Sequence, residues 1–219
     1  MAEFWETNFS EKREMWGLEP ANSALLTKNL FVENAIKKIL IPGIGYARNA
    51  QVFRENRIDV TGIEISKTAI KLAKKHYGND ITIHHGSVTD MPFDANLYDG
   101  IYCHALIHLL DEQERKKLIQ DCFQQLTNNG YMVFTAISKK AHTYGSGKFI
   151  SKDRYEIFEG VKMYFYEPES IQSEFGKAGL IEIREITENY PFYLIVCKNG
   201  SQTNFISILG DDITPLQDK

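Results

Sequence analysis

"ILIPGIGYARNA", residues 39–50, is the stretch on which the reading of this chain turns. Ile39-Leu40-Ile41 is an apolar run, Pro42 stops it, and Gly43 and Gly45 follow with one residue between them. Such a run reads as a buried strand over 38–41. The glycines read as a sharp turn into a helix over 46–55, where a ligand can approach the backbone closely. Outward from that point strand and helix patterns alternate. Further strands are expected over 58–64, 81–84, 99–103 and 131–137, the last entered through the turn signal Asn128-Asn129-Gly130. A helix capped by Ser66 runs to His76, and another spans 112–126. This alternation implies a parallel sheet covered on both faces.

The two ends differ from the middle. Residues 1–34 form a helical lead-in rich in aromatics (Phe4, Trp5, Phe9, Trp16, Phe31), broken near Gly17 and Pro20. At the other end a helix over 168–178 precedes strands over 181–186 and 192–197, joined by a short polar link at Asn189 and Tyr190. Strands in succession without a helix pair as a hairpin, so one of them runs antiparallel to the rest. The tail from Gly200 is mixed, and Phe205, Ile206, Ile208 and Leu209 suit either a last strand or a docked segment.

A length of 219 residues suits one well-buried domain rather than two cores. A net charge of −4, with lysines scattered rather than massed on a stripe, argues against nucleic acid as a partner. Lys139-Lys140 reads as a solvated loop. Cys103, Cys122 and Cys197 are odd in number, far apart and in apolar surroundings, which suits reduced buried thiols rather than disulfides or a metal site. The start, MAEFWETNF, is acidic where a secretion signal is basic. No run approaches the ~20 apolar residues of a membrane helix. The expectation is a cytoplasmic protein, monomer or homodimer, with no membrane partner.

The glycines alone could make no more than a tight turn, with Glu64 a surface residue; strand, glycines, helix, strand and acid together favour a bound ligand. In open parallel sheets ligands bind beyond the carboxyl ends of the strands. The second strand ends in Glu64, at the spacing where a carboxylate receives ribose hydroxyls. A dinucleotide fingerprint requires a third glycine where this chain has Arg48. A P-loop requires Ser or Thr after Gly147-Lys148, where Phe149 stands. Tyr144 and Lys148 imitate the Tyr-x-x-x-Lys pair of short-chain dehydrogenases, but Gly145-Ser146-Gly147 between them makes a poor helix.

Five blocks in order over residues 38–138 carry a resemblance: "ILIPGIGYARNA", "VTGIEISKTAI", "GSVTDMPFD", "LYDGIYCHALIHLL" and "LTNNGYMVFTAIS". Together they resemble the class I S-adenosylmethionine-dependent methyltransferases. "PGIGYARN", "GIEIS" and the lead-in "MWGLEP" are most similar to the branch of tellurite-resistance and thiopurine S-methyltransferase-like enzymes. The resemblance implies an α/β fold, Rossmann-like and doubly wound. Its seven-stranded, mostly parallel sheet would carry a C-terminal antiparallel hairpin and an N-terminal helical cap. One domain would then divide into the cap (1–34), a cofactor-binding core (35–138), an acceptor lid (139–167), the helix and hairpin (168–199) and the tail (200–219).

For S-adenosylmethionine as cofactor, the resemblance implies roles residue by residue. Gly43 and Gly45 pass under the methionyl part, Glu64 binds the ribose hydroxyls, and Ile65 packs on the adenine. Ser87 and Val88 flank the adenine edge, Cys103 and His104 line the floor near the sulfonium, and Trp16 closes the site from above. Many relatives carry an acid where Ile41 stands, so the cofactor's amino group is expected to use other acceptors such as backbone carbonyls; many also carry Asp where Ser87 stands, so a weaker grip on the adenine is expected.

Methyl transfer from a sulfonium is an in-line displacement that mostly needs alignment and shielding from water. The acceptor is expected to be a small molecule, with thiols and metalloid oxyanions needing no base. A neutral amine or hydroxyl would want one. The candidates are His104, His108, His142 and Tyr144, with His104 first because it ends a strand aimed at the crevice. His108, in an apolar context, reads as a packing histidine. In the segment over 139–167 Tyr144, Arg154 and Tyr164 are the candidate substrate contacts, while Phe158, Phe165 and Tyr166 read as packing on the sheet. No metal is expected. Two alternatives stay open: an NAD(P)-dependent oxidoreductase, and a catalytically silent S-adenosylmethionine-binding module.

Overall fold

The computed structural model describes residues 2–158 and 160–200. The tail residues Phe205, Ile206, Ile208 and Leu209 lie outside them. Seven strands form one sheet: β1 (Lys38–Pro42), β2 (Asp59–Glu64), β3 (Thr82–His85), β4 (Tyr98–Cys103), β5 (Leu126–Ile137), β9 (Leu180–Thr187) and β10 (Pro191–Lys198). Their order is β3-β2-β1-β4-β5-β10-β9. The five N-terminal strands are parallel, and β10 runs antiparallel between β5 and β9. Strand order reverses between β1 and β4, so a crevice opens beyond their carboxyl ends.

The central strands are apolar on both sides because helices cover both faces. Ile39, Val60, Tyr102 and Val133 meet Phe31 of α2 (Asn22–Glu33) and Phe53 of α3 (Gln51–Glu55). On the opposite face Leu40, Ile101, Met132 and Phe134 meet Leu118 and Cys122 of α5 (Glu112–Gln124) and Phe175 of α6 (Pro168–Phe175). Ser66 caps α4 (Lys67–Tyr77) by accepting from the Ala69 N–H at 3.0 Å. Asp111 and Glu114 build a reciprocal capping box on α5.

Two local readings change. The helix expected over 46–55 is shorter: Ala47 takes a left-handed φ of 64°, a 3-10 turn covers Arg48–Ala50, and only Gln51–Glu55 is α-helical. The turn signal at Asn128-Asn129-Gly130 is absorbed into β5, with Asn129 at φ 64°. The lead-in does break where expected, leaving α1 (Ala2–Lys12) and α2 on either side of Gly17 and Pro20. The segment over 139–167 is more ordered than a loop. It carries a separate antiparallel sheet of β6 (Lys148–Ser151), β7 (Arg154–Phe158) and β8 (Val161–Tyr164).

Candidate active site

A cavity of about 530 Å³ opens at the carboxyl ends of β1, β2 and β4, roofed by the N-terminal segment and the small sheet. One half is built from the glycine turn. Gly43 and Gly45 sit at φ 69° and 59°, a conformation that favours glycine. The turn folds back on β2, since the N–H groups of Gly43 and Ile44 donate to Ile63 O at 2.9 and 3.0 Å. A Cβ on Gly43 would run into Leu106 Cδ1.

Glu64 closes β2 at the floor of this half and is 5% exposed. Its carboxylate accepts from the Gly45 N–H at 2.9 Å and the Ser66 N–H at 2.8 Å. Burial raises its carboxyl above the usual range, and the N–H groups of Ser66 and Gly45 pull it back. Each oxygen still has a lone pair for a hydroxyl from the cleft. Ile65, Ser87 and Val88 line the wall beside it.

The polar residues after the second glycine hold the roof. Tyr46 Oη donates to Gly17 O at 2.7 Å and accepts from the Trp16 N–H at 3.1 Å. Arg48 donates to Trp16 O at 3.2 Å and Glu19 O at 2.9 Å. Asn49 accepts from the Ala21 N–H at 2.9 Å. Trp16 stacks on Tyr46 at an interplanar angle of 13° and forms part of the cleft wall. Arg48, which read only as a poor substitute for a third glycine, therefore pins the segment that covers the site. Glu6 of α1 reinforces it by accepting from Ser66 Oγ at 2.7 Å and Thr68 Oγ1 at 2.6 Å. These hydrogen bonds, Thr68 foremost, lower the Glu6 carboxyl to about 2.

The other half is lined by His104, His108, Ile137, Thr143, Val161, Met163 and Phe192, with Glu188, Asn189 and Tyr190 from the hairpin link. His104 Nδ1 lies 3.1 Å from Ser23 Oγ and 3.0 Å from Thr135 Oγ1. His108 Nδ1 accepts from the Ile137 N–H at 3.4 Å. Burial lowers both imidazoles to about 3, so both are neutral near pH 7. Glu188 accepts from the N–H groups of Asn22 and Ser23, at the start of α2. None of the sequence readings gave Glu188, Thr143, Met163 or Phe192 a part. The signal for Glu188 was an acid beside the hairpin link, at the end of the sheet where ligands bind.

Four expected contacts fall elsewhere. Cys103 is fully buried in the core with Phe134 and Tyr193, because successive residues of β4 face opposite sides and only His104, past the strand end, reaches the cleft. Arg154 and Tyr164 are register partners on the small sheet and face away from the cleft, into a second cavity of about 490 Å³ against α5 and α6. There the Arg115 guanidinium lies 3.9 Å from the Tyr164 ring and pairs with Glu174 at 2.8 Å. Tyr144 donates to Asp153 Oδ1 at 2.7 Å and packs on Tyr155 and Phe165 rather than lining the cleft. Phe165 and Tyr166 are buried as expected, but Phe158 is 56% exposed at the cleft mouth.

The family described as methyltransferase domain matches residues 40–134, which span the glycine turn, Glu64 and His104. That match covers the glycine turn and the strands on either side of it, and makes this part of the chain similar to methyltransferase domains. Solved methyltransferases share the fold over nearly the whole chain. A 1,6-didemethyltoxoflavin-N1-methyltransferase from Burkholderia thailandensis, solved with 1,6-didemethyltoxoflavin and S-adenosylhomocysteine, superposes with a TM-score of 0.70 at 11% identity, covering 91% of this chain and 87% of that one. A methyltransferase from Clostridium acetobutylicum ATCC 824 gives 0.68 at 13% identity, covering 91% and 98%. The magnesium protoporphyrin IX methyltransferase from Synechocystis PCC 6803 gives 0.65 at 12% identity, covering 90% and 96%. No curated protein matches the sequence. The cofactor side of the cleft fits a nucleoside: a positive-φ glycine turn, a buried carboxylate and an apolar wall.

Proposed function

We propose that the methyltransferase moves the methyl group of S-adenosylmethionine to a small-molecule acceptor, working as a cytoplasmic monomer or homodimer. The observation that carries this reading is the Glu64 carboxylate, held between the Gly45 and Ser66 N–H groups under the glycine turn. Glu64 takes the ribose hydroxyls, Gly43 and Gly45 let the methionyl part pass close to the backbone, and Ile65, Ser87 and Val88 receive the adenine. Trp16 closes the site. The bound cofactor supplies an electrophilic methyl on a sulfonium; the protein aligns it and keeps water out.

On the motifs "PGIGYARN", "GIEIS" and "MWGLEP" the chain sits nearest the tellurite-resistance and thiopurine S-methyltransferase-like branch. Acceptors that arrive already nucleophilic suit a cleft whose two histidines stay neutral. Calorimetric titration with S-adenosylhomocysteine and NAD tests the cofactor, and labelled methyl transfer to thiols, phenols and metalloid oxyanions tests the reaction. Binding of NAD alone would replace this reading with the oxidoreductase. Tight S-adenosylhomocysteine binding with no transfer to any acceptor would favour the silent module.

A further inference from the structure

Both histidines of the cleft are locked in one tautomer, and the lock decides what they can hold. A backbone N–H can only donate, so the bond from Ile137 leaves His108 Nδ1 as an acceptor and puts the ring proton on Nε2. For His104 the neighbouring hydroxyls decide. Thr135 Oγ1 accepts from the Ala105 N–H at 2.9 Å, and His104 Nδ1 is the acceptor its own proton reaches among the described residues. Tyr102 is fully buried, and Ser23 Oγ, 2.9 Å away, is its one hydrogen-bond partner among them. Tyr102 therefore donates to Ser23, and Ser23 donates onward to Nδ1 at 3.1 Å. Nδ1 has a single lone pair, which the two hydroxyls share; the opposite tautomer would leave both buried hydroxyl protons with no acceptor at all. His104, like His108, thus carries its proton on Nε2, and both residues line the cleft.

A third donor lies in the same half. Thr143 Oγ1 is buried, lines the cleft and has no hydrogen-bond partner among the described residues. The Phe192 ring lies near parallel to His104 at 15° and edge-on to His108 at 5.6 Å, which fixes both imidazoles. The other titratable and charged groups lining the cavity are Glu19, Tyr46, Arg48, Glu64, Glu188 and Tyr190. Of the carboxylates, Glu64 and Glu188 are each bound to two backbone N–H groups.

We propose that His104 Nε2–H, His108 Nε2–H and the Thr143 hydroxyl form a donor set that binds the methyl acceptor as a flat organic oxyanion, such as a phenolate or an enolate. This rests on the methyltransferase reading and narrows it. N–H and O–H donors reward oxygen, whereas sulfur is a weak acceptor, so the set selects an oxyanion over a thiolate. Ile137, Val161, Met163 and Phe192 make the surrounding wall apolar, which suits a ring and opposes a fully hydrated inorganic ion. An oxygen lone pair forms the O–CH3 bond as the C–S bond breaks, and that bond's electron pair stays on sulfur. The products are a neutral ether and a neutral thioether. No proton moves, so neither histidine serves as a base.

The test uses the full chain with two phenols, 4-nitrophenol and 7-hydroxycoumarin, whose anions have absorption bands of their own. Each is titrated against pH by absorbance, with and without S-adenosylhomocysteine. The bound phenols should ionise about one pH unit below the free ones, a tenfold preference for the anion. His104→Leu, His108→Leu and Thr143→Val should each shrink that shift. His104→Gln and His108→Gln, which keep an N–H in place without a basic ring, should retain most of it. Phenols that bind neutral or not at all, or Gln variants that behave like the Leu ones, would overturn the donor set. Calorimetry on the same samples separates the two readings. Failure to bind S-adenosylhomocysteine sinks the methyltransferase reading, whereas phenols bound neutral beside a bound nucleoside sink the donor set alone.

Discussion

The two halves of the cleft are built by different means. The floor of the cofactor half comes from one continuous stretch, Gly43 to Ser66, in which a backbone turn and one carboxylate satisfy each other. The acceptor half is assembled from Ser23, His104, His108, Thr135, Thr143 and Glu188, which come from six places in the chain. Burial acts on both halves in the same direction, toward the uncharged form. It raises the Glu64 carboxyl and lowers the two imidazoles. What separates them is the partner. Glu64 receives backbone N–H donors, so its charged form is supported. The histidines have their acceptor nitrogens filled by donors, which leaves only N–H for a ligand.

The strongest way to break this contrast is Arg115→Ala, which attacks the acceptor half from outside. Arg115 is 3% exposed and ties Glu174 of α6 to the outer face of the small sheet at Tyr164. Its loss leaves the Glu174 carboxylate, 9% exposed, without a cationic partner among the described residues and held only by the Tyr166 hydroxyl, and should lower stability by roughly 3–5 kcal/mol. That is a fall in Tm on the order of 10 °C. S-adenosylhomocysteine affinity in the folded variant should stay at the parent value, and a parallel loss of affinity would show that the halves are coupled.

Next in size, Glu64→Ala should weaken S-adenosylhomocysteine binding by about 1.5–3 kcal/mol in calorimetry. Unchanged affinity would remove Glu64 from the site. Arg48→Ala loosens the roof without touching the floor, and about 1 kcal/mol, roughly fivefold in Kd, is expected. An unaltered Kd would mean that Tyr46 and Asn49 hold the roof without it.

The smallest effect tests the clamp of α1 on α4. The folded Glu6 carboxyl sits at about 2 against an ordinary 4.5, so the folded state binds the proton less readily than the unfolded one. Its contribution is complete above the ordinary value and fades as pH falls toward 2. Solvent screening holds it under about 1 kcal/mol. Thermal melts in acid should fall less steeply for Glu6→Gln than for the parent, and identical slopes would dismiss the clamp.

How far the sequence could be read follows the same division. The strand, glycine turn and acid at its head were visible because they are consecutive and their spacing is set by backbone geometry. The small sheet over 148–164 was not. All of β6 is exposed, so it lacks the alternation of apolar and polar residues that marks a half-buried strand. Its reversal at Asp153, a left-handed φ of 61° on a non-glycine residue, gives a weak signal. Without that pairing, nothing assigned Arg154 and Tyr164 to one face and Met163 to the other. Cys103 was misplaced for a related reason: a one-residue step along β4 changes which side of the sheet a side chain meets.

By itself the sequence determined the alternation of strands and helices, the closing hairpin, the glycine turn and the acid that ends the second strand, since these depend on local spacing and on which residues tolerate a positive φ. Only the tertiary structure decided that Arg48 holds the roof, that Thr143 Oγ1 has no hydrogen-bond partner among the described residues, and that His104 and His108 carry their protons on Nε2. A tautomer is set by what lies against the other nitrogen, and those neighbours, Ser23 and Thr135 for His104 and Ile137 for His108, are 29 or more residues away in the chain.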